Sequence, residues 1–260
     1  MTGAERSRRA VLLAAAGGLL AACTRSRPAA RASASPSIAP PSSSPATSPT
    51  VAAATSSPPA AARVIRHAST GRSEVALTFH GAGDPALAEQ LLHEVEQAHA
   101  LVTVFAVGTW LRDHPAMAAR VLRGGHALGN HTYTHPTLHR LSDAAIRDEV
   151  SRCAAVLHRL TGSVGVAFRP SGGDSITAPM VAAAKASGYD LVLGFDVDPR
   201  DYADPGADAI VRRTLAAVRP GSIVSLHLGH AGTVAAMPRI LTGLRSRGLT
   251  PVPAPRLVAP

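Results

Sequence analysis

Aromatic residues are scarce: Phe, Trp and Tyr together make up 3% of the 260 positions. So little π-surface excludes a nucleic-acid face built on stacked bases. Lysine is nearly absent, with Lys185 the only one among 26 basic residues. There are two cysteines, Cys23 and Cys153. With Cys23 in the leading segment, the folded part keeps one thiol and no intrachain disulfide. Cys153 lies among Ala and Val in a helical pattern, which reads as a small buried apolar residue. No GxGxxG or P-loop is present, so nucleotide phosphates find no glycine cradle.

What is present begins with charge. The net charge is +9, but residues 1–63 hold seven Arg and one Glu, and residues 64–260 hold 19 basic and 16 acidic residues. The excess is therefore concentrated at the N-terminus and does not argue for DNA binding. A hydrophobic content of 46% excludes a fully disordered chain.

The first 23 residues read as an address. Arg6, Arg8 and Arg9 precede an apolar run over 11–20, too short to span a bilayer comfortably. Leu20-Ala21-Ala22-Cys23 resembles a bacterial lipoprotein processing site, with Cys23 as the lipidated residue. Residues 24–62 are rich in Ala, Ser, Pro and Thr and hold eight of the 21 prolines. Such a stretch buries no core and reads as a solvated tether. The implied location is the outer face of a bacterial cell membrane, reached by export and held by a lipid anchor.

From about residue 63 the chain alternates. Strand patterns cover 75–79, 101–107, 164–169, 190–197 and 222–228; helical patterns cover 85–98, 109–123, 142–160, 175–187, 207–218 and 233–247. The run 126–130 is ambiguous and fits a further buried strand. Ser142 is placed as an N-cap, and Gly188 follows a helix as a C-cap residue does. This alternation predicts an α/β domain over 63–260 with parallel strands, either barrel-like or an open doubly wound sheet. Ligands gather at the C-terminal ends of such strands. The residues there are His80 to Asp84, His131 and His135, Arg169 to Asp174, Asp196 to Tyr202, and His227.

Two histidines four apart, His131 and His135, share one face if the turn is helical and can ligate one metal. Two ligands alone do not make a catalytic zinc site, which takes three from the protein. The surroundings extend the pattern. Ala76-Leu77-Thr78-Phe79, the run Gly124 to His135, Phe168-Arg169-Pro170, Asp196 to Tyr202, and Gly221 to His227 occur in order along the domain. These five segments resemble the motifs of the polysaccharide deacetylases, the NodB-homology group of metal-dependent carbohydrate esterases. The resemblance implies a distorted (β/α) barrel that removes acetyl groups from a cell-surface or cell-wall glycan. It implies that His131 and His135 ligate a divalent ion, with Zn²⁺ expected. It implies His227 as general acid, Asp201 as its support, and Arg169 as the residue that orients the carboxylate base. No nucleic-acid partner is expected.

The first motif departs from the family's Thr-Phe-Asp-Asp-Gly. Here it runs Thr78-Phe79-His80-Gly81-Ala82, so His80 replaces the base and Gly81 the third metal ligand. Ser225 stands where an apolar residue lines the acetyl pocket, Leu228 where an Asp follows the last His, and Tyr202 in place of a Trp. Two repairs are open. His80 can complete a three-histidine site with Asp84 as base, or Asp84 can ligate the metal with His80 as base. Asp84 before Pro85 also has the form of an N-cap and N1 pair. The competing function is a catalytically impaired glycan-binding lipoprotein on the same scaffold.

Overall fold

The computed structural model describes residues 61–69 and 71–259. The expected export signal, Cys23 and the expected tether up to residue 60 lie outside the described residues. Among the described residues no helix is long and apolar enough to cross a membrane.

Strands and helices alternate as β1 (Arg63–Ile65), β2 (Glu74–Gly81), α1 (Pro85–Gln97), β3 (Thr103–Ala106), α2 (Gly108–Asp113), α3 (Ala116–Arg123) and β4 (Ala127–Asn130). They continue as α4 (Asp143–Thr161), α5 (Ala178–Ala186), β5 (Leu191–Leu193), α6 (Ala207–Ala217), β6 (Ile223–His227), α7 (Ala231–Ser246), β7 (Thr250–Pro251) and α8 (Ala254–Leu257). Short 3₁₀ turns cover Leu138–Arg140 and Asp201–Ala203.

Every ladder between named strands is parallel, as βαβ crossovers require. The order β4-β3-β2-β6 forms one arc and β1-β5 another. Single bridges join them: Asn130 to Phe168 and Phe168 to Val192 on one side, His67 to Ser222 and Val197 to Val224 on the other. The ring therefore closes, but through bridges instead of full ladders, which is a distorted barrel. Asp196 ties the second seam, its carboxylate accepting from the Ile223 amide at 2.7 Å and the Ser222 hydroxyl at 3.0 Å.

The two-residue period of a strand explains what each face holds. In β2, Val75, Leu77 and Phe79 join the large core under the helices, while Ala76, Thr78 and His80 face the ring's interior. Leu226 in β6 repeats the outward set and Ser225 and His227 the inward one. Ala76, Phe105, Ala167, Leu193 and Ile223 belong to one buried apolar cluster. Polar residues then occupy the upper end, where the strands terminate.

Local sequence accounts for several element ends. Ser142 Oγ caps α4 by accepting from the Ala145 amide at 3.3 Å, and Gly162 closes that helix in the left-handed region at φ 76°. The helix expected over 109–123 is instead two, because Pro115 has no N–H and pushes His114 out of the helical region, to φ −128° and ψ 63°. The strand expected over 164–169 reduces to the bridge at Phe168, and that over 190–197 to three residues. The ambiguous 126–130 run contains β4. Cys153 is a free, fully buried thiol, and burial pushes its pKa up to about 12.

Candidate active site

Three imidazoles meet at the C-terminal end of the ring. His80 ends β2, and His131 and His135 follow β4; each offers a nitrogen within 4.8 Å of the other two. The ring centroids of His80 and His131 are 3.9 Å apart, and those of His131 and His135 are 4.9 Å apart. His131 is fully buried, and its Nδ1 donates to the Arg169 carbonyl at 2.9 Å. That bond leaves Nε2 as the unprotonated nitrogen, and it is buried with no hydrogen-bond partner among the described residues. An orphaned acceptor of this kind costs free energy unless a ligand satisfies it. Burial, and then the neighbouring imidazoles, push both His80 and His131 well below the ordinary histidine range. Neutral rings are what a divalent cation requires. The donor set therefore fits a metal of the zinc type.

The loop carrying His131 and His135 is unusual. Thr132 and His135 both adopt positive φ, 69° and 61°, a region unfavourable for side chains of this kind. Asn130 Oδ1 accepts from the Thr132 amide at 2.8 Å. Glu149 on α4 accepts from the Tyr133 and Thr134 amides at 2.8 Å each and from the Thr134 hydroxyl at 2.7 Å. The carboxylate thus braces the loop between the two histidines. Sequence reasoning missed Glu149. The available signal was a lone charge on the buried α4 stripe of Ile146, Val150 and Cys153.

A second group stands beside the cluster. His227 Nδ1 lies 2.8 Å from Asp201 Oδ1. Asp201 is fully buried, and its Oδ2 accepts from the His227 amide at 2.8 Å and from Thr233 at 2.7 Å. Thr233, too, was not anticipated. His80 and His227 are register partners in adjacent strands, so His80 Nδ1 comes 2.8 Å from His227 Nε2. Ser225 Oγ lies 3.4 Å from the other nitrogen of His80.

Two expectations need correction. Asp84 is not part of the cluster; its Oδ1 accepts from the Ala86 amide at 2.9 Å and caps α1. Pro85 at the helix start favours that cap, so Asp84 serves neither as base nor as ligand in this geometry. Arg169 orients no carboxylate. It is buried, donates to the Leu193 and Gly194 carbonyls at 3.1 and 3.0 Å and to Thr78 Oγ1 at 2.6 Å, and lies over the Phe105 ring. Burial alone lowers its pKa to about 9. Gly81 is equally committed: a Cβ there would come 2.9 Å from Val104 Cγ1 and 3.1 Å from the Trp110 ring. An acid at 81 has no room in this frame.

The cluster opens into a cavity of about 950 Å³ lined by His80, His135, His227, Asp198, Arg200 and Tyr202, among others. Tyr202 is half exposed, and its ring centroid is 5.4 Å from that of His227.

A family model described as polysaccharide deacetylase matches residues 67–192. A chitooligosaccharide deacetylase of Bradyrhizobium sp. (strain ANU 289) is 32% identical over 211 residues, covering 72% of this chain and 92% of its own. The chain belongs to the polysaccharide deacetylase family. Its fold agrees: a solved peptidoglycan N-acetylglucosamine deacetylase superposes with TM-score 0.70 at 27% identity, covering 75% of this chain and 92% of its own. A mutant of a carbohydrate esterase family 4 pseudoenzyme with restored enzymatic activity gives 0.71 at 25%, covering 76% and 71%. Family membership places the chain among hydrolases of the deacetylase type.

Proposed function

We propose that this chain is an exported, lipid-anchored, Zn²⁺-dependent hydrolase that removes acetyl groups from a cell-surface glycan of the chitooligosaccharide or peptidoglycan kind. The single observation carrying the reading is the convergence of His80, His131 and His135 on one point, with the buried His131 Nε2 lacking a partner among the described residues. Export and anchoring rest on the sequence of residues 1–23.

Those three residues would hold the ion through imidazole nitrogens. What an ion held there would supply is polarisation of the acetyl carbonyl and activation of a water. With Asp84 at its cap, the group left to exchange protons with the reacting atoms is His227, backed by Asp201. His227 takes a proton as the water oxygen bonds to the carbonyl carbon. It returns the proton to the leaving nitrogen as the C–N bond breaks, giving acetate and a free amine. Asp201 holds Nδ1–H in place and supports the imidazolium that forms between these steps. The exposed ring of Tyr202 beside the cavity offers an apolar face to a sugar.

Purified protein is expected to retain about one Zn²⁺ and to release acetate from acetylated chito-oligomers or peptidoglycan fragments. No acetate from either substrate, with Zn²⁺ supplied, would refute it. The second reading, a catalytically impaired glycan binder, is favoured by the absence, among the described residues, of any carboxylate from the histidine cluster. It predicts saccharide binding without turnover.

A further inference from the structure

We propose that Ser225 selects the acyl group, so that the cavity takes a 2-hydroxyacyl amide, N-glycolyl, in preference to N-acetyl. The inference rests on the hydrolase reading above and narrows its substrate class.

Strand pairing puts Ser225 where an acyl tail ends. In β6, Ser225 and His227 face the ring's interior, while Leu226 joins the core outside it. His227 pairs with His80, and Ser225 pairs with Thr78, one inward step deeper. Ser225 lines the same cavity as His80, His135 and His227, yet it is only 2% exposed. Tyr202, half exposed, marks the open side of that cavity. A glycan has to continue out through the open side, so the acyl group is the part that reaches the buried histidines. The terminal carbon of the acyl group then comes against the wall beside His80, where Ser225 stands.

The hydroxyl there is barely used. Its contact with His80 Nε2 is 3.4 Å, longer than an ordinary hydrogen bond, and is its one hydrogen-bonding contact among the described residues. Other hydroxyls around β2 and β6 are engaged at shorter range. Thr78 donates to the Val224 carbonyl at 2.6 Å and accepts from Arg169 at 2.6 Å. Ser222 donates to Asp196 at 3.0 Å, and Thr233 donates to Asp201 at 2.7 Å. A serine hydroxyl has one hydrogen to give and two lone pairs to accept with. Left idle in a buried wall, that capacity costs free energy, which an acyl hydroxyl recovers and a methyl group does not. Ala82 and Phe195 also line the cavity and give the acyl carbon apolar contact. A volume of about 950 Å³ leaves room for the extra oxygen. The bonds broken and formed are those of deacetylation. The water oxygen joins the carbonyl carbon, the C–N bond breaks, and glycolate leaves with a free amine.

The test measures glycolate and acetate release from chito-oligomers of equal length carrying N-glycolyl or N-acetyl groups. Wild type, S225A and S225V are compared, each supplied with Zn²⁺. Wild-type kcat/KM is expected to favour the glycolyl substrate by about 10-fold or more, S225A to bring the ratio to about one, and S225V to invert it. Calorimetry of the metal-free proteins with the same oligomers reads binding without turnover. The wild type is expected to hold the glycolyl form more tightly, an advantage that S225A loses. A wild type with no preference in either measurement overturns the proposal, as does an S225A protein that keeps the preference. Equal loss of both substrates in S225A would place the hydroxyl on the carbonyl they share, and overturns it too. If neither acid is released, the hydrolase reading falls, and the calorimetric preference alone decides what Ser225 selects.

Discussion

At the scale of single residues, the site is held by groups that never face the cavity. Glu149 is the clearest. It is buried, and three donors of the loop 133–134 share its carboxylate, between two backbone positions of positive φ. Removing it leaves two amides without acceptors and frees the strained turn. Glu149→Ala is therefore expected to lower stability by about 1–3 kcal/mol, read by urea denaturation, and to weaken Zn²⁺ binding by about 10-fold or more, read by chelator competition. Glu149→Gln keeps an acceptor oxygen and should fall between. Unchanged Zn²⁺ affinity in Glu149→Ala would show that the turn holds itself. The same residue scale shows the limit of motif reading. His80, His131 and His135 were legible as donors because imidazoles at strand ends are chemically conspicuous. Asp84 was legible as a cap and also as a base or ligand, and the bond from the Ala86 amide to its side chain decided for the cap.

At the scale of elements, helices locate the site by how they pack on the ring. One such packing contact is polar. Arg120 on α3 donates to both Glu96 oxygens at 2.6 and 3.0 Å and to Glu89 at 2.6 Å, tying α3 to α1. The hydrogen bonds from Arg120 hold the Glu96 carboxyl below its ordinary pKa, although partial burial opposes them. Its folded pKa thus lies below the unfolded value. The stabilisation is complete above the ordinary carboxylate range and is lost as pH falls through the depressed value. Glu96→Gln is expected to be less stable than wild type at neutral pH and to converge with it in acid, as followed by thermal melts between pH 7 and 3. A gap that persists unchanged at pH 3 would show that the ionised carboxylate contributes nothing. Helix boundaries were well read wherever a cap was present, as at Ser142 and Asp84. They failed at His114–Pro115, where periodicity continued across a break the proline imposes.

For the whole molecule, closure of the ring brings distant segments to one point. His80 and His227 lie at the ends of the neighbouring strands β2 and β6, and His131 follows β4, which β3 separates from β2. A ligand that binds only this closed arrangement stabilises it by mass action. Zn²⁺ at 100 times its Kd is expected to add about 2.7 kcal/mol, a rise of roughly 5–10 °C in Tm for a domain of this size. His131→Ala should abolish that rise, and an equal rise in His131→Ala would place the ion elsewhere. Sequence by itself determined the parallel α/β class, the strand ends that carry chemistry and the family, because periodicity and motif order are local properties of the chain. Tertiary structure alone decided that Asp84 stays at its helix, that Arg169 serves carbonyls and a hydroxyl, that Glu149 braces the loop, and that His80 lies against His227. Those outcomes depend on distances between residues up to 147 positions apart, and such distances exist only once the ring has closed.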